Sequence, residues 1–150
     1  MKQGFVKVAS ATPRIRVADP VYNAQVICEQ AKEAAEHGAK IVVFPELCIT
    51  GYTCNDLFLQ ELLLEKAKEA LLTIVEETGQ LEALFLVGLP VDKDGRLYNV
   101  AAVLYRGRIL GMIPKKNIPM YAEFYEGRHF TPGEETVTEY RLGKQEMPFG

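Results

Sequence analysis

Apolar positions along the 150-residue chain follow two periods, one of about two residues and one of about three and a half. Phe5, Val6, Lys7, Val8 and Ala9 read as a strand with one buried face. Asp19–Pro20 then offers a helix N-cap followed by proline at the first helical position. Ala24, Ile27, Ala31 and Ala34 or Ala35 recur at helical spacing, and Gly38 supplies a stop. Cys28 lies on this apolar stripe beside Ile27, and His37 falls in the last turn, where it complements the helix dipole. Residues 41–44, Ile-Val-Val-Phe, read as a strand buried on both faces. Pro45 lacks an amide hydrogen for the ladder and ends it. Asn55–Asp56 is expected to cap a helix opening at Leu57–Phe58 and running through Leu63, Ala70, Leu71, Ile74 and Val75 to about Gly79. Residues 83–88 form the next buried strand, closed by Pro90.

From there the pattern turns antiparallel. Asp94–Gly95 is a strong hairpin signal between residues 89–91 and 97–104, and Arg106–Gly107 is a second turn leading into 109–113. The order predicts βαβαβ followed by an antiparallel extension of one sheet, an α/β architecture in one domain. Residues 138–142 and a turn at Gly143 begin a hairpin whose return strand is expected beyond the chain's end. The segment from Pro114 to Gly133 is long for an irregular connection, which marks it as a candidate functional loop.

Composition narrows the classes. With 48% hydrophobic and 25% charged residues the chain is an ordinary globular sequence, and a net charge of −3 gives no footprint for nucleic acid or anionic lipid. No apolar run approaches the roughly 20 residues of a membrane span, and Met1 to Phe5 enters a strand without a signal-peptide core. Three cysteines without CxxC spacing and two histidines suggest neither a disulfide framework nor a metal site. A reducing, cytoplasmic setting is expected.

Two positions stand out chemically. Glu46 directly follows a strand end, where ligands of open α/β sheets gather, and reads either as a general base or as a solvated loop carboxylate. Lys115 stands in the same relation to the 109–113 strand. It reads either as a cation beside a developing oxyanion or as one of a pair of exposed lysines.

Together these stretches resemble the nitrilase (carbon–nitrogen hydrolase) superfamily, which uses a Glu–Lys–Cys triad. The carriers are FPELCITGY around Glu46 and PKKNIP around Lys115. GYTCNDLFLQ, GRLYNVAAVLYRGRILGMIPKKNIP and YAEFYEGRHFTPG are similar to the glutaminase domains of glutamine-dependent NAD synthetases, and Asn117 stands where other branches usually carry histidine. The resemblance implies an incomplete α-β-β-α sandwich with a mixed sheet, residues 1–150 forming its N-terminal portion. It makes Glu46 the general base and Lys115 the oxyanion stabiliser. Tyr121 would contact the glutamine, and Glu126 would be a second glutamate that lines the substrate site and orients lysine and nucleophile. Lys116 is excluded, since it should point to the other side. The nucleophile's motif is absent, and Cys48 and Cys54 read as packing residues.

What the resemblance implies for the whole is hydrolysis of L-glutamine to supply ammonia. A synthetase domain absent from this chain would use it, with ATP and Mg2+, to make NAD from nicotinic acid adenine dinucleotide. No cofactor is expected in this segment. A homo-oligomer is implied; nucleic acid and membrane are not. The alternatives are a stand-alone amidase acting on a small amide, or an inactive fragment or interaction module.

Overall fold

The computed structural model describes residues 4–150, so the first three residues of the expected N-terminal lead-in lie outside it. The chain runs β1 (Val8–Ser10), α1 (Pro20–Glu36), β2 (Ile41–Val43), a 3-10 segment (Tyr52–Leu59) and α2 (Glu61–Glu77). It continues with β3 (Leu84–Lys93), β4 (Arg96–Tyr105), β5 (Arg108–Pro114), a short 3-10 turn (Glu126–Arg128), β6 (Thr138–Leu142) and β7 (Gln145–Phe149). The seven strands form one mixed sheet in the order β1-β2-β3-β4-β5-β7-β6. β1, β2 and β3 are parallel, and β3, β4 and β5 are antiparallel, which is the predicted βαβαβ with its extension.

α1 begins as its sequence dictates: the Asp19 carboxylate accepts from the Tyr22 amide at 3.1 Å, and Pro20 opens the first turn. Both helices turn their apolar stripes to one face of the sheet. There Ile27, Ala31, Leu71 and Ile74 pack with Val42, Phe85, Val87, Leu89 and Leu104 in one continuous core. Both predicted hairpin turns form with positive φ at the two central residues, 52° and 73° at Asp94–Gly95 and 47° and 73° at Arg106–Gly107.

Several boundaries differ from the pattern. β1 is three residues long, and Phe5, Val6 and Val8 are exposed rather than forming a buried face. The 41–44 run is buried on one face only. Val43 is exposed because no helix among the described residues covers the second face of the sheet. Asn55–Asp56 does not cap a helix; it lies inside the kinked 3-10 segment, where Asp56 binds the loop residues Arg128 and His129 at 3.0 Å each. Pro90 does not close β3. Phe44 and Ile49 donate to the Leu86 and Gly88 carbonyls, so by the two-residue period Pro90's nitrogen also faces that side. β2 has already ended there, so no ladder bond is lost. The return strand expected beyond the chain is β7, paired with β6 from Leu142↔Gln145 to Thr138↔Phe149 and beside β5 at Met112↔Phe149. Its Met147 and Phe149 are buried, a period-two signal that Pro148 obscures.

One glycine decides how the second face is used. The chain leaves the ladder after Phe44 and rejoins it at Ile49, folding Pro45–Cys48 across β3 at Gly88. A Cβ on Gly88 would press on the Leu47 amide nitrogen and stand 2.7 Å from the Pro45 carbonyl oxygen. Gly88→Ala should therefore cost about 1–3 kcal/mol of stability through overpacking. Thermal unfolding of the intact protein measures it, and an unchanged melting temperature would contradict this role for the crossing.

Candidate active site

β2 and β5 are three strand spacings apart, about 14 Å, yet the residues that follow them meet. The turn across Gly88 carries Glu46 over β3 to the end of β5. Within the turn Leu47 holds φ 52°, a left-handed conformation that costs a β-carbon-bearing residue about 1–2 kcal/mol. Its side chain offsets that cost. It is fully buried in a second apolar cluster with Cys54, Phe58, Leu63 and Phe130. Phe130 belongs to the 114–133 loop and meets Phe58 edge-on at 5.0 Å, so this cluster ties the Glu46 turn to the loop that begins at Lys115.

Lys115 extends the β4–β5 pairing by one residue, donating its amide to the Asn99 carbonyl at 2.8 Å. Its Nζ lies 2.9 and 3.1 Å from the two carboxylate oxygens of Glu46 and 3.0 Å from each oxygen of Glu126. The Lys115 side chain is 29% exposed, that of Glu46 42% and that of Glu126 6%. Partial burial works to lower the Lys115 pKa. Hydrogen bonds and charge from the two carboxylates outweigh it and hold the ammonium above the ordinary lysine value. Glu126 also accepts from the Tyr52 hydroxyl at 2.8 Å. Burial and this carboxylate keep the Tyr52 phenol protonated well beyond its usual range.

Glu46, Lys115 and Glu126 therefore converge. Tyr121 does not join them: it is exposed and packs edge-on against Phe124 at 5.6 Å, and Phe124 meets Tyr52 edge-on at 6.5 Å. Lys116 points away and pairs with Glu135 at 3.3 Å. Pattern reading missed Tyr52 and Asn99, the latter donating to Glu46 at 2.6 Å. Neither carries a local signal, because both contacts cross more than 50 residues of chain. Beside the cluster an apolar groove of about 360 Å³ runs along the helix-free face between Val43, Leu86, Ala101 and Ile113.

The three cysteines are buried and free. Burial pushes the Cys48 thiol up to about 12 and the Cys28 thiol up to about 11, and Cys54 is raised for the same reason. Such thiols are poor nucleophiles.

Removing the cation should expose the constraint. Lys115→Met leaves Glu126 buried without its counter-charge, a loss of about 3 kcal/mol, and adding Glu126→Gln should restore more than half of it. Because folding raises the Lys115 pKa, its contribution is complete below the unfolded value near 10.4 and is lost as the pH rises through the higher folded value. Wild-type stability should therefore fall more steeply than that of Lys115→Met above about pH 10.4. Thermal unfolding as a function of pH checks both outcomes.

Comparison with known proteins gives the family. The family model for carbon-nitrogen hydrolases matches residues 7–147. The chain is 39% identical over 149 residues to glutamine-dependent NAD(+) synthetase of Mycobacterium tuberculosis, covering 99% of this chain and 22% of that protein. It is 36% identical over 137 residues to the Thermotoga maritima synthetase, covering 91% and 23%. The crystal structure of the Cytophaga hutchinsonii synthetase superposes with a TM-score of 0.90 at 29% identity, over 97% of this chain and 25% of that one. An amidase from Nesterenkonia superposes at 0.71 and 23% identity, over 95% and 54%, which shows the shared nitrilase fold. The chain thus spans less than a quarter of the two synthetase sequences it matches. With a family match over nearly its whole length, and a strand-end carboxylate paired to a lysine, this chain belongs to the carbon-nitrogen hydrolase family.

Proposed function

We propose that residues 1–150 are the N-terminal portion of a nitrilase-like glutaminase domain. The carrying observation is the Lys115 ammonium held between Glu46 and Glu126 on the helix-free sheet face. In this reading Glu46 takes the proton of a cysteine thiol, and the thiolate sulfur bonds to the carboxamide carbon of L-glutamine. Lys115 stabilises the resulting oxyanion, an effect on the order of 3 kcal/mol. Collapse breaks the C–N bond. The proton held by Glu46 passes to the leaving nitrogen, releasing ammonia and a thioester. Glu46 then deprotonates a water that cleaves the thioester to glutamate and the free thiol.

The nucleophile is assigned to chain following Gly150, since Cys28, Cys48 and Cys54 are buried and their thiols are pushed up. Glu126 orients Lys115 and the attacking sulfur. Tyr121, exposed on the loop and packed on Phe124, contacts the glutamine. The ammonia serves a synthetase domain, in keeping with the relatives' name, glutamine-dependent NAD(+) synthetase; the family resemblance implies that this domain uses ATP and Mg2+ to convert nicotinic acid adenine dinucleotide to NAD. The setting is cytoplasmic and the assembly a homo-oligomer. Among the described residues no helix is long and apolar enough to cross a membrane.

Ammonia release from glutamine by the intact protein tests this. Glu46→Gln and Lys115→Ala should each lower kcat by at least about a hundredfold. Tyr121→Ala should raise KM for glutamine with a smaller change in kcat. An intact protein that releases no ammonia from glutamine but does so from a small aliphatic amide would assign a stand-alone amidase. No release from either would leave an interaction module.

A further inference from the structure

The charged cluster has a fourth member. Asn99 lies on β4 opposite Pro90, on the sheet face that also carries Gly88 and Ala101, and is 3% exposed. Its backbone carbonyl accepts from the Lys115 amide at 2.8 Å. Its Nδ2 donates to Glu46 Oε1 at 2.6 Å and stands 3.5 Å from Glu126 Oε2. One residue thus touches both carboxylates and the backbone of the lysine between them. The carboxamide can face them only with its nitrogen, because ionised carboxylates accept and do not donate.

This contact makes the two oxygens of Glu46 unequal. Oε1 receives Asn99 at 2.6 Å and Lys115 at 2.9 Å. Oε2 receives Lys115 alone, at 3.1 Å. A carboxylate oxygen offers two lone-pair sites, so Oε1 is saturated and Oε2 keeps one open. We infer that Asn99 is a positioning residue that occupies Glu46 Oε1, leaves Oε2 as the proton-accepting atom, and holds Glu46 and Glu126 on either side of the Lys115 ammonium. The inference rests on the proposed amide hydrolysis for its chemistry. The thiol S–H bond breaks as its proton passes to Oε2, the electron pair stays on sulfur, and the same oxygen returns the proton to the leaving nitrogen.

A neutral donor is what the place requires. A third carboxylate would repel both glutamates, and a cation would compete with Lys115 for them. An aliphatic side chain would leave Glu46 free to rotate into solvent, since it is already 42% exposed.

The experiment compares the intact wild type with Asn99→Ala and with the isosteric Asn99→Asp, by crystal structure and by glutamine hydrolysis. In Asn99→Ala the Glu46 carboxylate should swing away from Lys115, and kcat should fall by roughly 10- to 100-fold with little change in KM. In Asn99→Asp the acid limb of the kcat/KM profile should move to higher pH, because a new carboxylate joins the groups facing Glu46: Lys115, Glu126 and, through Glu126, Tyr52. Should Asn99→Ala fail to fold, the Asn99→Asp profile decides alone. A lower melting temperature with Glu46 in place and kcat and pH profile unchanged would overturn the inference while leaving amide hydrolysis standing. A wild type inert towards amides, with Glu46 displaced in Asn99→Ala, would support the positioning role and remove the proposed function instead.

Discussion

A lysine ammonium shared by two carboxylates is the constraint on which the rest of this structure depends. Glu126 is almost wholly removed from water, and an ionised carboxylate there is tolerable only with its lone pairs filled and its charge opposed. Lys115 does most of this by reaching both of its oxygens, and the Tyr52 hydroxyl completes it. Glu46 and Glu126 in turn outweigh the partial desolvation of Lys115 and hold its pKa above the ordinary lysine value. The buried carboxylate and the ammonium thus hold each other in place.

Meeting this constraint imposes geometry on distant parts of the chain. The Glu46 turn must cross β3, which only a residue without a side chain permits at Gly88. The turn must also place Leu47 in a left-handed conformation, held by burial against Phe58 and Phe130. The same apolar cluster anchors the loop that carries Glu126, and the Asp56 contacts to Arg128 and His129 brace it from outside. Packing energy well away from the charges is what brings them within 3 Å of one another.

The two faces of the sheet play opposite parts. The face under α1 and α2 is the main apolar core and sets stability. The other face carries Val8, Val43, Leu110 and Ile113 in the open, together with the crossing turn, Asn99 and Lys115. The synthetase structure that superposes at 0.90 shares this arrangement of elements.

Much of this was legible in the residues themselves. The Asp19–Pro20 start, the helical stripe of α1, the two hairpin turns and the strand order follow from short-range rules acting on neighbours in sequence. Glu46 and Lys115 could be singled out because each directly follows a strand. Other features were settled only by long-range contacts. Pro90 continues a strand because β2 has ended beside it, and Val43 is exposed because both helices pack on the other face. β7 forms inside the chain because Met147 and Phe149 find a buried face. Tyr52 and Asn99 acquire their roles only when folding sets them against carboxylates 74 and 53 residues away. The sequence by itself determined most of the elements and which charged residues stand at their ends. Only the tertiary structure decided which of those charges meet, because that depends on a crossing at Gly88 that no local pattern encodes.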